Sequence, residues 1–377
     1  RPPRSTLFPY TTLVRSYALS SMVWDQEGNT TTYVNLFADL GVQSIDHENA
    51  REFVGAADIW LHEGSLYVAE GVALTITRFT VEDGELVEHE KIGFSDFGIT
   101  DFGFWRNVFV APDKAYFLSG TSEYIVWNPK EMSIEGTFDV PALPARDGLT
   151  PFPGYSDRAA IVRGNRLYQP VYYTDPDESY FVMDPGSSLL VVDIEKDEVL
   201  EVLELPCPGI DFASQDSDEN LVFSSWVFAP GGAAVIDQPN TCVVQLAAGS
   251  DEPEVLFDVA DLTDGRQGGM FRYLGNGKAF LTVLHSERED SEDPSTVADG
   301  PNWKFWLYDI ESGTAEPSDA FDFSAGAAYD VSVDGKKQLL VPSGDYSSTK
   351  LYEVNADGTS KPQFTSPGWS LRLFELP

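Results

Sequence analysis

Residues 107–132, NVFVAPDKAYFLSGTSEYIVWNPKEM, read as three short strands in succession. Aromatic and β-branched residues fill NVFV, AYFLS and YIVW, turn signals such as APDK separate them, and no apolar period of 3.6 residues runs through. The middle strand recurs along the chain as YALSS at 17–21, LYVAE at 66–70, LYQPV at 167–171, LVFSS at 221–225, AFLTV at 279–283 and LLVPS at 339–343. Registered on Tyr17, Tyr67, Tyr116, Tyr168, Val222, Phe280 and Leu340, the steps are 50, 49, 52, 54, 58 and 60 residues. A strand ending in a tight turn follows each copy, as in TRFTVEDGE, LVVDIEKDE and LYEVNADGT, with the poorer TTYVNLFAD in the first. Before every copy except the first lies another short strand, such as ADIWLHEG, AAIVRGN or YDVSVDG.

Four strands per repeat and seven repeats predict an all-β, seven-bladed β-propeller. The first repeat lacks its innermost strand, and the chain ends with a strand left over, WSLRLFEL at 369–376. That strand is expected to complete the first blade and close the ring, removing the free sheet edges of a linear array. The single propeller domain is placed at 17–377.

Residues 1–16, RPPRSTLFPYTTLVRS, stand apart: they hold three arginines and no acid, and the rest of the chain carries 61 acids against 21 bases. They resemble translated sequencing-adapter read-through, so the native start and any export signal are expected to be missing. The whole chain of 377 residues has a net charge of −37 with 42% hydrophobic residues. Its apolar content suffices for a large core, and its acidity opposes nucleic-acid and membrane-surface binding. No stretch is long and apolar enough to predict a membrane span, and a monomer is expected.

In a propeller the first-to-second and third-to-fourth turns share one face, and the other connections share the opposite face. The first set reads as short throughout. The second reads as long, at 39–55, 94–107, 141–157, 172–187, 226–241, 261–271 and 285–302, which makes it the working face. Lysines fall largely at plain-face turns, whereas Arg106, Arg158, Arg266, Arg272 and Arg372 precede or enter innermost strands. Two readings follow. In one, these arginines form a cationic mouth for an anionic or aromatic ligand, with Trp105, Tyr155, Tyr173, Trp226, Phe271 and Trp303 supplying contact area and His285 at the edge. In the other, they pair with acids such as Asp96, Asp101, Asp157 and Asp211 and tie blades together.

Calcium is a weaker expectation. Asp175, Asp177, Glu178 and Asp184, and a second acidic run at Glu287, Glu289, Asp290, Glu292 and Asp293, offer hard oxygens without the spacing of a calcium loop. With four histidines and no GxSxG, HExxH or phosphate-loop motif, no catalytic residue is assigned. A calcium-dependent hydrolase or lactonase using inner-ring carboxylates, and a protein-interaction scaffold, remain the alternatives to a ligand-binding protein. Cys207 and Cys242 fall on the long-loop side of adjacent blades, where a disulfide is geometrically open to them and points to an oxidising compartment.

The openings YALSSMVW, ADIWLHEGSLYVAEG, TITRFTVEDGELV and FVAPDKAYFLSG resemble a group of exported bacterial propellers of the YVTN or quinoprotein-like repeat type, some of them encoded beside myxobacterial catecholate-siderophore genes. The resemblance covers 17–377 and rests on repeat texture. It implies a periplasmic or extracellular, non-enzymatic protein connected with iron uptake, with a ferric siderophore as one anionic, aromatic ligand. It carries over no functional residues.

Overall fold

Seven antiparallel sheets, six of four strands and one of five, radiate around a central channel in the computed structural model, which describes residues 16–97, 99, 106–155, 158–175, 177 and 180–377. Every copy of the middle motif lies on the second strand of its blade, from Ser16–Trp24 in blade 1 to Lys336–Pro342 in blade 7. These strands are buried on both faces because blades stack face to face. Lys114–Ser119, for example, buries its four central residues, whereas the outer strand Ser133–Asp139 buries none. One apolar cluster fills each of the seven interfaces between blades, such as Tyr67, Ile76 and Phe94 of blade 2 against Phe117 and Trp127 of blade 3. Each fully buried side chain of this kind contributes roughly 1.5–3 kcal/mol.

The ring closes as expected. Trp369–Leu376 is the innermost strand of blade 1 and pairs with Ser16–Trp24, so the two ends of the chain share one sheet. Ser21 Oγ and Ser370 Oγ lie 2.7 Å apart in the buried seam. Cys207 and Cys242 form a disulfide with Cα atoms 5.6 Å apart, joining the strand Cys242–Leu246 of blade 5 to the end of blade 4.

Two features depart from the sequence reading. Residues 39–55 do not lie on the long-loop face. They contain the short outer strand Arg51–Val54 of blade 1, so the preceding loop is a third-to-fourth connection, and it runs along blade 7, where Ile45 N–H donates to Thr365 O at 2.9 Å. The innermost strand of blade 4 is also split. Thr150–Pro153 and Ile161–Arg163 both pair with Arg166–Thr174, and among the described residues Gly154, Tyr155 and Arg158 to Ala160 lie between the two pieces. Two prolines made the first piece read as a loop, but an edge strand tolerates them because one side of its ladder is unpaired. Among the described residues, no helix is long and apolar enough to cross a membrane.

Candidate functional site

The loop inside the split strand places Tyr155 and Arg158 at the channel mouth. Its entry depends on Gly154, where a Cβ would meet Asp211 Oδ1 at 3.0 Å and Pro170 Cγ at 3.3 Å. Asp211, on the innermost strand Ile210–Gln215 of blade 5, then organises the loop. It accepts from Tyr155 N–H at 2.5 Å and from Arg158 Nη2 at 2.6 Å, while Arg158 Nε–H donates to its backbone oxygen at 3.2 Å. The guanidinium is flanked by two rings, 3.8 Å from the Tyr155 centroid and 4.0 Å from the Trp226 centroid. Stacking and ion pairing fix it in one plane.

Beyond Trp226 the aromatic wall continues. Tyr329, first residue of the blade 7 innermost strand, lies 5.8 Å from both Trp226 and Trp369. Trp369 opens the closing strand, stacks on Trp24 at 6.1 Å and meets the edge of Tyr346 at 5.3 Å. Its Nε1–H donates to Ala327 O at 3.0 Å, which sets the ring against the mouth. Gly368 makes the preceding bend at φ +74, a conformation that disfavours a side chain. These rings, with Tyr155, Arg158, Phe228 and Met22, enclose a cavity of about 390 Å³ that also exposes Asp58 and Asp299. Phe228 begins the helix Phe228–Val235 and Asp299 ends the helix Pro294–Asp299, so both second-to-third loops of blades 5 and 6 reach the site.

Charge at the channel is arranged in pairs. Arg372 of blade 1 meets Asp58 of blade 2 at 3.0 Å, Arg158 of blade 4 meets Asp211 of blade 5, and Arg272 of blade 6 meets Asp330 of blade 7 at 3.0 Å. Each links neighbouring innermost strands. Arg372 also lies 5.3 Å from the Tyr329 centroid. Arg272 is buried, donating besides to Met270 O, Thr282 Oγ1 and Ala328 O, and it packs 4.8 Å from the Phe212 ring. It adjoins a second cavity, of about 320 Å³, at the plain-face end of the channel with Lys337 and Gln338.

Of the residues singled out in the sequence, Tyr155, Arg158 and Trp226 come together in the mouth cavity, and Arg372 reaches it through Asp58. Arg106 lies 5.9 Å from the Phe152 ring beside the split strand. Arg266 is set apart on Glu287 at 2.9 Å. His285 also faces Glu287, at 3.1 Å, and accepts from Trp306 Nε1–H; burial pushes its pKa down, which keeps the ring neutral. Phe271, Trp303 and Tyr173 are packed into blade interiors. Trp105 and Glu178 lie outside the described residues. Asp175 accepts from Asp177 N–H, and Asp184 faces Arg146 at 3.6 Å. No three His, Cys, Asp or Glu side chains gather as a metal site among the described residues.

Trp24, Tyr329, Tyr346, Trp369 and Asp299 were not anticipated. A positional signal exists for three of them: Tyr329 and Trp369 are the first residues of innermost strands and Trp24 is the last of a second strand, all facing the mouth.

No protein-family model matches the sequence, and no curated protein matches it. Solved structures match the fold. A candidate 6-phosphogluconolactonase from Bacteroides fragilis aligns at 10% identity over 98% of this chain and 100% of its own, with a TM-score of 0.55. A second, from Bacteroides uniformis, aligns at 13% identity over 96% and 99%, with a TM-score of 0.54. The periplasmic gluconolactonase PpgL of Pseudomonas aeruginosa aligns at 12% identity over 96% and 99%, with a TM-score of 0.53. At these identities the structural likeness shows a shared fold alone.

Proposed function

We propose that the protein is an exported binding propeller that takes an aromatic small molecule in its mouth cavity. The observation that carries this is the cavity itself: about 390 Å³, set at the long-loop end of the channel and walled by Trp24, Trp226, Tyr329, Tyr346 and Trp369. Flat apolar faces with few polar groups are what a ring-bearing ligand needs for contact and orientation. Export is supported by the Cys207–Cys242 disulfide, a bond that persists in oxidising compartments.

A ferric catecholate fits the aromatic half of this reading. The anionic half has less support, because Arg158, Arg272 and Arg372 each already hold an aspartate. The lactonase reading, an alternative already drawn from the sequence and matched by the names of the fold neighbours, has less support for the matching reason: the inner-ring carboxylates Asp58, Asp211 and Asp330 are each bound to a guanidinium.

The test is a tryptophan-fluorescence titration against catechols, indoles and quinones. Trp24 is 42% exposed, so Trp24→Ala removes wall area at little cost to folding. The variant is expected to weaken any ligand found by about tenfold, the effect of losing one aromatic contact. Unchanged affinity in both Trp24→Ala and Trp369→Phe would place the site elsewhere.

A further inference from the structure

Charges around the mouth do not all cancel. Asp58 is matched by Arg372 at 3.0 Å and Arg158 by Asp211 at 2.6 Å, so these two pairs contribute no net charge. Asp299 is different. Its carboxylate lines the cavity, accepts from Ser295 Oγ at 3.3 Å, and meets no cation among the described residues.

We propose that the mouth cavity selects organic cations, with an ammonium or amidinium group held at Asp299 and an apolar or aromatic body lying on the Trp24, Trp369 and Tyr346 rings. This rests on the binding reading above and adds the ligand's charge to it. Three physical effects act in the same direction. Asp299 is solvent-exposed at the rim of an apolar cavity, where its carboxylate attracts an opposite charge placed beside it. Ring faces attract cations through their quadrupoles, and Trp24, Trp369 and Tyr346 form one continuous surface at centroid spacings of 5.3 to 6.4 Å. The net charge of −37 draws cations toward the protein and repels anions before contact.

The titratable groups agree. Desolvation by the surrounding protein raises the Asp299 carboxyl, with Asp293 adding to the shift against the Ser295 hydrogen bond. The Tyr346 phenol is pushed up by burial and by Asp299, so it stays neutral and able to donate. The Asp299 carboxylate carries a cost that an incoming cation relieves.

Three probes with one ring and one reach separate the outcomes: 2-phenylethylammonium, 2-phenylethanol and 3-phenylpropanoate, titrated by tryptophan quenching at neutral pH and low salt. The ammonium is expected to bind about tenfold tighter than the alcohol, and the carboxylate weakest. In Asp299→Asn, which can keep the Ser295 contact, the ammonium-to-alcohol ratio should fall to within about twofold while the alcohol's affinity holds. In the unaltered protein, added salt should weaken the ammonium and leave the alcohol unchanged. Equal binding of ammonium and alcohol, a preference that survives Asp299→Asn, or a flat salt response each overturns the charge assignment and leaves aromatic binding standing. Failure of all three probes to bind removes the binding reading as well.

Discussion

Two ion pairs between innermost strands do different work. Between blades 4 and 5, Arg158 is presented between Tyr155 and Trp226 as part of a cavity wall, and the second-to-third loops of blades 5 and 6 gather round it. Between blades 6 and 7, Arg272 is a strut. It is 3% exposed, and its four hydrogen bonds tie the start of its own strand, the next strand and blade 7 into one body. A guanidinium that is stacked and held at an open mouth shapes a binding surface; one with every direction bonded under Phe212 supports the ring. What surrounds the guanidinium therefore separates site from scaffold better than residue type does.

Three perturbations bear on that contrast. The largest effect is expected at the seam between blades 4 and 5, beneath the Arg158 loop, where the disulfide closes 35 residues. Replacing Cys207 and Cys242 together by Ala should cost about 4 kcal/mol by loop-closure entropy, read as a lowered urea midpoint with a steeper slope as the denatured chain expands. An unchanged midpoint would show that packing and the Arg158–Asp211 pair alone hold the mouth seam.

Next is the strut. Asp330→Ala leaves the buried Arg272 without its carboxylate and should cost about 2 kcal/mol, below the range for a fully buried pair because Asp330 is 46% exposed and three other acceptors remain. Ligand affinity at the mouth should not change. A loss of affinity without a loss of stability would reverse the roles given to the two pairs.

The smallest effect comes from pH. Asp345 is held at about 2 by hydrogen bonds from Ser343 Oγ, then Ser347 Oγ and Ser347 N–H, and it shapes the turn that carries Tyr346 into the mouth. A carboxyl with a folded pKa below its unfolded value stabilises fully above about pH 4 and loses that contribution as pH falls toward 2. Amide exchange at Ser347 should therefore accelerate over that window before exchange at the plain-face end does.

The architecture was legible because its signals repeat. Seven second strands, each buried on both faces, must be apolar in the same register, so AYFLS and its copies stand out, and a spare strand at one end with a gap at the other implies closure. Residues 150–153 were not legible, since TPFP carries two prolines and only its edge position makes a strand of it. Nor was the outer strand Arg51–Val54, four residues reached after a long detour. At the site, Tyr155, Arg158 and Trp226 stood out as bulky or basic residues in connections. Tyr329 and Trp369 did not, because an aromatic residue opening a strand reads as core, and its exposure depends on which end of the channel that strand begins. The pairing of each arginine depends on the neighbouring blade, 53 and 58 residues away in sequence for Arg158 and Arg272 and 314 for Arg372, which local pattern does not encode.

Closure of the ring by the final strand also sets an order of events. Trp369 and Leu371, which complete the cavity wall, follow every strand of blade 7 in the chain, whereas their partner Met22 precedes blades 2 to 7. Blades 2 to 7 can stack as they emerge, but the cavity exists only once the closing strand has met blade 1. A chain truncated before Trp369 therefore has blades and no mouth cavity.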